Sequence, residues 1–322
     1  MKVKNCLIFG GSGQIGSHLI RKLTKNNYKV TVVTRNIHQK SYKIKTQANA
    51  GYIEIVESSI FDEKKIRKLF ENTDICINLV GILYESRRGN NFKNIHTVFP
   101  SLLAKMCKEY DLDKFIHISA LGINEAVDSN YAQSKLNGEM NILKHFPKAN
   151  ILRPSIVYSV DDNFTTNFMT LLNRLPFMPL YYDGKTKFSP IHVSDLVNIL
   201  YEVINGNFYK LTLECIGPEI LSFKEIINKL LKSINKKRIL FPLPYPLAKI
   251  SAKILQLLPN PLLTEDQLNL LKYDNVDSGL YKTNIDLGLK AEKIFDVELE
   301  KYSYNWRTGG QFASKNNLEK LK

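Results

Sequence analysis

The stretch GGSGQIG at 10–16 constrains this chain more than any other. It follows the apolar run VKNCLIF (3–9) and opens a segment with Ile15, Leu19, Ile20 and Leu23 at helical spacing. Its glycines fall as Gly10-x-x-Gly13-x-x-Gly16. A glycine turn between a buried strand and a helix lets the backbone approach a pyrophosphate. The helix amino terminus then offers free N–H groups and the positive end of its dipole. Gly16 also lets the helix pack closely on the sheet. A bare glycine pattern can be an ordinary tight turn. The strand before it and a second strand after it favour a dinucleotide.

The next segments repeat that alternation. YKVTVVT (28–34), YIEIVE (52–57), DICINLVG (74–81), KFIHISA (114–120) and NILRPS (150–155) read as strands. DEKKIRKLFE (62–71) reads as a helix begun by an Asp cap, and helical patterns at 92–110 and 129–145 separate later strands. Strand and helix in turn predict an α/β fold, a Rossmann doubly wound parallel sheet with right-handed crossovers. Beyond residue 155 the alternation breaks. Prolines cluster at 176–190 and 242–261, and helical patterns at 194–205, 222–233 and 246–258 are joined by irregular segments. The expected organisation is a nucleotide-binding domain over 1–155, a smaller mixed cap over 156–310 interleaved with the sheet edge, and a polar tail over 311–322.

The totals narrow the class. The chain has 322 residues, 44% of them hydrophobic, enough for one large or two modest cores. No apolar run reaches the ~20 residues that span a bilayer, and the apolar run at the amino terminus is too short for a signal peptide. The expected location is cytoplasmic, with peripheral attachment to the inner membrane face as an option. Cys6, Cys76, Cys107 and Cys215 show no CxxC and no metal-like spacing with histidine, so no metal site is expected. They read as small buried hydrophobes in a reducing compartment. The net charge of +14 fits an anionic partner such as a nucleotide, a membrane surface or an acidic protein. The lysines are scattered through a Lys-, Asn- and Ile-rich chain, which favours a compositional origin, and no aromatic-basic interleaving suggests nucleic acid.

The second strand bears on the choice of dinucleotide. An NAD site places an acid near the end of that strand to bond the ribose 2′-OH. Here the strand ends Val33-Thr34-Arg35. A guanidinium there can clamp a 2′-phosphate bidentately, so NADP(H) is favoured over NAD(H). The alternative is a solvated surface arginine.

Tyr131 and Lys135, in YAQSK (131–135), are four apart on an expected helix and share a face, with Asp128 or Ser129 as the cap. Ser119 ends the preceding strand, where ligands of a doubly wound fold sit. Proton transfer by a tyrosine near neutrality needs its pKa of ~10 lowered by ~3 units, about 4 kcal/mol. A positive charge ~4 Å away supplies that at an effective dielectric of ~20. Lys135 could do this while bonding the nicotinamide ribose, and Ser119 would orient a substrate carbonyl. In isolation, a Tyr-x-x-x-Lys is simply an exposed helix face.

In order along residues 1–200, GGSGQIG, Asn78-Leu79-Val80-Gly81, Ile118-Ser119-Ala120, YAQSK and LRPSIVYS (152–159) resemble the extended and atypical short-chain dehydrogenase/reductase superfamily. NLVGILYE (78–85), FIHISALG (115–122), YAQSKLNGE (131–139), ILRPSIVYSVDDNF (151–164) and LLTEDQLNLLKYDNV (262–276) look like the NAD(P)H-binding accessory subunit of respiratory complex I (NADH:ubiquinone oxidoreductase) and its bacterial relatives. This narrower resemblance runs through the cap. It implies a fold that holds a nucleotide without known turnover, and partners among membrane-bound respiratory subunits or quinone-related proteins. It also implies roles. Gly10, Ser12, Gly13, Gln14, Ile15 and Gly16 would bind the pyrophosphate and Arg35 the adenosine phosphate. Leu79, Val80 and Gly81 would line the adenosine side. Tyr131 and Lys135 would reach the nicotinamide ribose beside Ile118 and Ser119, with Pro154, Ser155 and Ile156 against the nicotinamide. Some positions depart from superfamily habit. Ser58-Ser59-Ile60 replaces Gly-Asp before an apolar residue, leaving Ser59 a weaker bond to adenine beside Ile60. Ser159 stands where a glycine is expected, and Ser119 lies only twelve residues before Tyr131.

Three readings follow. One is an NADP(H)-binding protein with little or no catalysis that supports a complex I or quinone-related membrane assembly. The second is an NADPH-dependent reductase or epimerase of a small carbonyl or nucleotide sugar. The third is a redox-sensing module without a membrane partner. The first is favoured because the resemblance extends into the cap. PLAKISAKILQLLP (246–259) is amphipathic and basic; packing on the cap is the expected use, and an anionic membrane surface or membrane-bound partner the alternative. His192 and Asp195 are expected to be structural, with Ser194 or Asp195 capping the next helix.

Overall fold

The six expected strands all form; the first, fourth, fifth and sixth are apolar-rich runs buried along nearly their whole length, while the third, at the sheet edge, is only partly covered. The structure, a computed structural model, describes residues 3–86, 90–258, 261 and 263–310; the expected polar tail, 311–322, lies outside the described residues. The first half runs β1 (Asn5–Phe9), α1 (Gln14–Lys25), β2 (Lys29–Thr34), α2 (Ile37–Lys45), β3 (Ile53–Glu57), α3 (Glu63–Phe70) and β4 (Ile75–Asn78). A π-helical turn (Lys93–Val98) then leads directly into α4 (Phe99–Glu109), followed by β5 (Lys114–Ile118), α5 (Asn130–His145) and β6 (Asn150–Pro154).

The second half is more fragmented. It runs β7 (Val157–Tyr158), α6 (Thr165–Arg174), β8 (Phe177–Tyr181), β9 (Lys187–Phe188), β10 (Ile191–His192), α7 (Val193–Asn205), β11 (Thr212–Cys215) and β12 (Leu221–Ser222). It continues with α8 (Phe223–Ser233), β13 (Ile239–Leu243), α9 (Tyr245–Leu255), α10 (Glu265–Leu270), β14 (Lys282–Thr283) and α11 (Phe295–Glu300).

The main sheet is eight-stranded, in the order β14-β11-β6-β5-β4-β1-β2-β3. Its neighbouring strands are parallel. The order reverses at β1, whose neighbours are β2 and β4, and a crevice at such a switch point is where ligands bind. β11 and β14 come from beyond residue 155, and β14 has only two residues. Strands so short carry no readable periodicity, so their place in this sheet emerges only from long-range pairing.

Two cores flank the sheet. Leu19, Ile20 and Leu23 of α1 and Leu196, Leu200 and Val203 of α7 cover one face. Phe70, Phe99, Leu103 and Ile142 cover the other, above Phe9 and Phe115. A third core, around Phe223, Ile227, Leu230 and Phe295, holds the smaller lobe together. The four cysteines are buried with free thiols.

The caps follow local chemistry. Asp62 accepts from Lys65 N at 3.0 Å and Ser129 from Ala132 N at 3.2 Å. The expected cap of α7 is corrected. The helix begins at Val193, so residue 192 is its N-cap, and His192 Nδ1 accepts from Ser194 N at 3.3 Å. Asp195 instead receives Glu292 N at 2.9 Å and Lys293 N at 2.8 Å.

One close approach fixes α5. A Cβ built on Gly138 would lie 1.9 Å from the His96 carbonyl oxygen of the π-helical turn. Only glycine lets these backbones touch. Gly138→Ala is expected to destabilise the protein by about 1–3 kcal/mol, the usual cost of overpacking, seen as a lower denaturant midpoint with an unchanged slope. An unchanged midpoint would show that this approach is not needed.

Candidate functional site

Gly10 turns the chain out of β1 with φ +83°, and a Cβ there would lie 2.9 Å from the Leu79 carbonyl carbon beyond β4. At Gly16 a Cβ would meet Gly11 Cα at 2.5 Å and the Gly10 oxygen at 2.7 Å. The turn therefore folds onto itself and lies flush with the β4 end. Gly13 is the N-cap of α1 but supplies no side-chain bond, and the first turn has no acid. An uncapped helix end at a switch point, cleared of side chains by three glycines, fits a phosphate group. The residues present thus fit a dinucleotide.

Gln14 and Ser159 are brought together. Gln14 Nε2 donates to Ser159 Oγ at 2.9 Å, and Ser159 Oγ donates to Asp161 Oδ1 at 2.7 Å. Asp161 also faces His18 at 3.8 Å and Lys43 at 3.4 Å. With the His18 bond as the largest cause, its carboxyl is held well below the usual range. The serine in the place of the expected glycine thus ties the glycine turn to the segment after β7.

Arg35 is exposed just past β2, where its Nη1 donates to Asn90 Oδ1 at 3.2 Å. The acid nearest in the sheet register is Glu57, paired with Thr34, and its Oε1 accepts from Ile37 N at 3.1 Å. Ser59 is exposed and accepts from Phe61 N at 3.2 Å. Ile60 is buried in the core that contains Leu7, Phe9 and Val33, so only its backbone faces outward.

The far end of the crevice is built on α5. Lys135 is buried and its Nζ donates to the Ile118 carbonyl at 3.1 Å. Burial lowers its pKa to about 8, with Glu139 opposing. Tyr131 is half-buried, its ring 6.0 Å from the Lys135 ammonium. The expected tuning is not met here. Burial, helped by Asp266, pushes the phenol up to about 12. The lysine points past the ring to a carbonyl, so its charge does not offset desolvation. Ser119 is buried and its hydroxyl has no partner among the described residues, which leaves a free group at the end of β5.

His96 was not among the expected site residues, yet it organises this end. Its Nε2 accepts from Ile82 N at 3.1 Å, and its Nδ1–H donates to Ser134 Oγ at 2.9 Å. Ser134 Oγ in turn donates to the Tyr131 carbonyl at 2.7 Å. These directions require the neutral Nδ1–H tautomer. The ring thereby fixes the loop that carries Leu79, Val80 and Gly81 against α5, with its centroid 5.3 Å from that of Tyr131. A Cβ on Gly81 would lie 3.4 Å from Lys135 Nζ. One strand over, Asn78 Nδ2 donates to His117 Nδ1 at 3.1 Å while Asn78 Oδ1 accepts from Val80 N. Glu139 and Arg153 form a buried bidentate pair at 3.0 and 2.5 Å.

The cap stretch 262–276 reaches this face twice. Asp266 accepts from Ser129 Oγ (2.9 Å), Asn130 N (2.6 Å) and Tyr131 N (3.1 Å), placing a carboxylate on the amino terminus of α5. Asn275 Nδ2 donates to the Leu121 carbonyl at 2.8 Å, and its Oδ1 accepts from Ser155 Oγ at 2.6 Å. It thereby stitches the loop after β5 to the loop after β6, where Pro154 and Ser155 are buried and Ile156 is partly covered. Both residues lie in a stretch whose resemblance was legible, but nothing local marked them as contacts. A cavity of about 680 Å³ opens beside Asp266, bounded also by Tyr84, Phe92, Asp128, Tyr245 and Lys272.

The two buried histidines set a pH dependence. Burial pushes His96 down to about 2 and His117 well below the usual range. Both stay neutral in the folded protein, while the unfolded chain takes up their protons below about pH 6.5. Stability therefore falls as pH drops below that value, by about 1.4 kcal/mol per pH unit for each histidine. His96→Gln is expected to remove one such share of the slope between pH 6.5 and 5, measured by urea denaturation. An unchanged slope would mean that His96 is not buried neutral.

Comparison with known proteins agrees with this geometry. Residues 6–208 match the NAD dependent epimerase/dehydratase family. The chain is similar to the NADH dehydrogenase (ubiquinone) 1 alpha subcomplex subunit 9, mitochondrial, of Arabidopsis thaliana, with 26% identity covering 98% of this chain and 81% of that protein. It is also similar to the NADH-ubiquinone oxidoreductase 40 kDa subunit, mitochondrial, of Neurospora crassa, with 24% identity covering 89% and 76%. A UDP-glucuronic acid 4-epimerase from Bacillus cereus superposes with a TM-score of 0.73 at 19% identity, covering 99% of this chain and 100% of the enzyme, which shows the shared fold. Both levels of resemblance carried by the motifs recur in these matches. From its glycine turn to its eight-stranded sheet, the chain belongs to the NAD dependent epimerase/dehydratase family.

Proposed function

We propose that the protein retains NADP(H), in preference to NAD(H), with little or no turnover, and supports a respiratory complex I or quinone-related membrane assembly. The observation that carries this reading is that the protein's own cap bonds to the loops after β5 and β6 and to the start of α5. Asn275 uses the Ser155 hydroxyl and the Leu121 carbonyl, and Asp266 lies on the backbone of Tyr131. A substrate would have to displace the first. The phenol, pushed up to about 12, is poorly set to give up a proton. Similarity to complex I subunits over nearly the whole chain, cap included, supports the same reading.

In this assignment the α1 end, with Gly10, Ser12, Gly13, Gln14, Ile15 and Gly16, holds the pyrophosphate. Leu79, Val80 and Gly81 face the adenosine, with Ser59 and Ile60 beside the adenine. Arg35 turns from Asn90 to the 2′-phosphate. Tyr131 and Lys135 bond the nicotinamide ribose near Ile118 and Ser119, and Pro154, Ser155 and Ile156 lie along the nicotinamide. When bound, the nicotinamide supplies a hydride donor or acceptor. The NADPH-dependent reductase or epimerase reading keeps one specific support, the Ser119 hydroxyl at the end of β5, unpartnered among the described residues.

Purified protein is expected to retain NADPH and not to oxidise it with carbonyls or quinones. Tyr131→Phe should weaken retention by about tenfold at most, the worth of one hydrogen bond. Steady turnover that Tyr131→Phe abolishes would establish the enzyme reading instead. Arg35→Asp should cost NADPH about 10- to 100-fold in affinity and reverse the preference toward NADH, by the loss of a charge-assisted bidentate contact. If titration calorimetry gives the mutant the same cofactor ratio as the wild type, another group reads the phosphate.

A further inference from the structure

Helix α9 packs on the smaller lobe through small residues. Its buried positions are Ala248 and Ala252, which join a minor core with Tyr181 and Leu268. Its large apolar residues point elsewhere. Leu247, Ile250 and Ile254 are 54%, 55% and 63% exposed, and Leu257 in the next turn is 74% exposed. At 100° per residue these positions form one stripe opposite the alanine face. The helix is therefore apolar on two sides, and one side is covered by nothing among the described residues. The strand pair leading into it exposes Ile239 and Phe177 as well, which face each other in register.

The charge around the stripe is mainly basic, with Glu265 facing Lys253 at 3.9 Å. Between Glu225 and Glu265 the sequence has no acidic residue, while Lys236, Lys237, Arg238, Lys249 and Lys253 all fall within it. Lys249 and Lys253 lie on one flank of the stripe and are exposed. The stripe itself is leucine and isoleucine. Protein interfaces concentrate their energy in Trp, Tyr and Arg set into shaped pockets, whereas a fluid hydrocarbon boundary accepts branched aliphatics without shape matching. A second copy of this chain would bring like charges together.

We propose that α9 is the face by which this protein rests on an anionic lipid surface. Leu247, Ile250, Ile254 and Leu257 enter the headgroup–acyl boundary, and Lys249 and Lys253 meet headgroup phosphates. This deepens the proposed membrane-side role by naming the surface, and it does not depend on the nucleotide site.

The test is co-sedimentation with vesicles of phosphatidylcholine alone and of phosphatidylcholine containing phosphatidylglycerol. The wild type is expected to bind the anionic vesicles, and to be released by added salt. Ile250→Ser/Ile254→Ser should weaken binding by about tenfold or more, given the apolar groups removed. Lys249→Glu/Lys253→Glu should abolish the preference for anionic over neutral vesicles. NADPH binding by both variants, measured by fluorescence, shows that they fold and reads the nucleotide site separately. Wild-type protein that ignores anionic vesicles, or variants that bind as the wild type does, would overturn the proposal. A dimer in analytical ultracentrifugation that Ile250→Ser/Ile254→Ser dissolves would assign the stripe to self-association instead.

Discussion

The uncapped amino terminus of α1 is the constraint on which the rest of the structure depends. Gly10 and Gly16 allow it to lie against the β4 end, at the point where the strand order reverses. Backbone N–H groups directed at open space are costly unless an acceptor arrives. At α3, α5 and α8 side chains satisfy that need, through Asp62, Ser129 and Ser222. At α1 no side chain does, and the family match accounts for what would. The Gln14–Ser159–Asp161 chain then ties this turn to the second half of the molecule.

Helix α5 bears the polar side of the crevice. Lys135, Glu139, Arg153, His117 and His96 are buried in or beneath it. Burying so many ionisable groups in one layer is unfavourable unless each is paired or neutral. The Arg153–Glu139 pair meets the first condition, and the histidines meet the second. Lys135 finds a carbonyl, and the loop over it is held by His96. Such a layer costs stability and secures one arrangement of the crevice.

The smaller lobe bonds to the carboxyl-edge loops and carries the exposed α9 stripe. Asp266 in the first turn of α10, and Asn275 beyond the turn that follows it, reach the α5 terminus and the loops after β5 and β6. The nucleotide face and the apolar face are thus joined through one short stretch, with α9 and α10 packed against each other through Ala252 and Leu268.

Periodicity and glycine spacing determined the first six strands, the helices between them except α2, the glycine turn after β1 and the shared face of Tyr131 and Lys135. Each of these is a local pattern, read within one element and its flanks. Tertiary structure alone decided the rest. β14 is two residues long, and its place beside β11 depends on a partner 69 residues away in sequence, Leu213 with Lys282 and Glu214 with Thr283. The His96 tautomer, the turn of Lys135 to a carbonyl and the Asn275 stitch depend on groups that only folding brings together. The same holds for α9. Its sequence shows an amphipathic helix, but that alanine rather than leucine faces inward is decided by the neighbours it packs on, Tyr181 and Leu268.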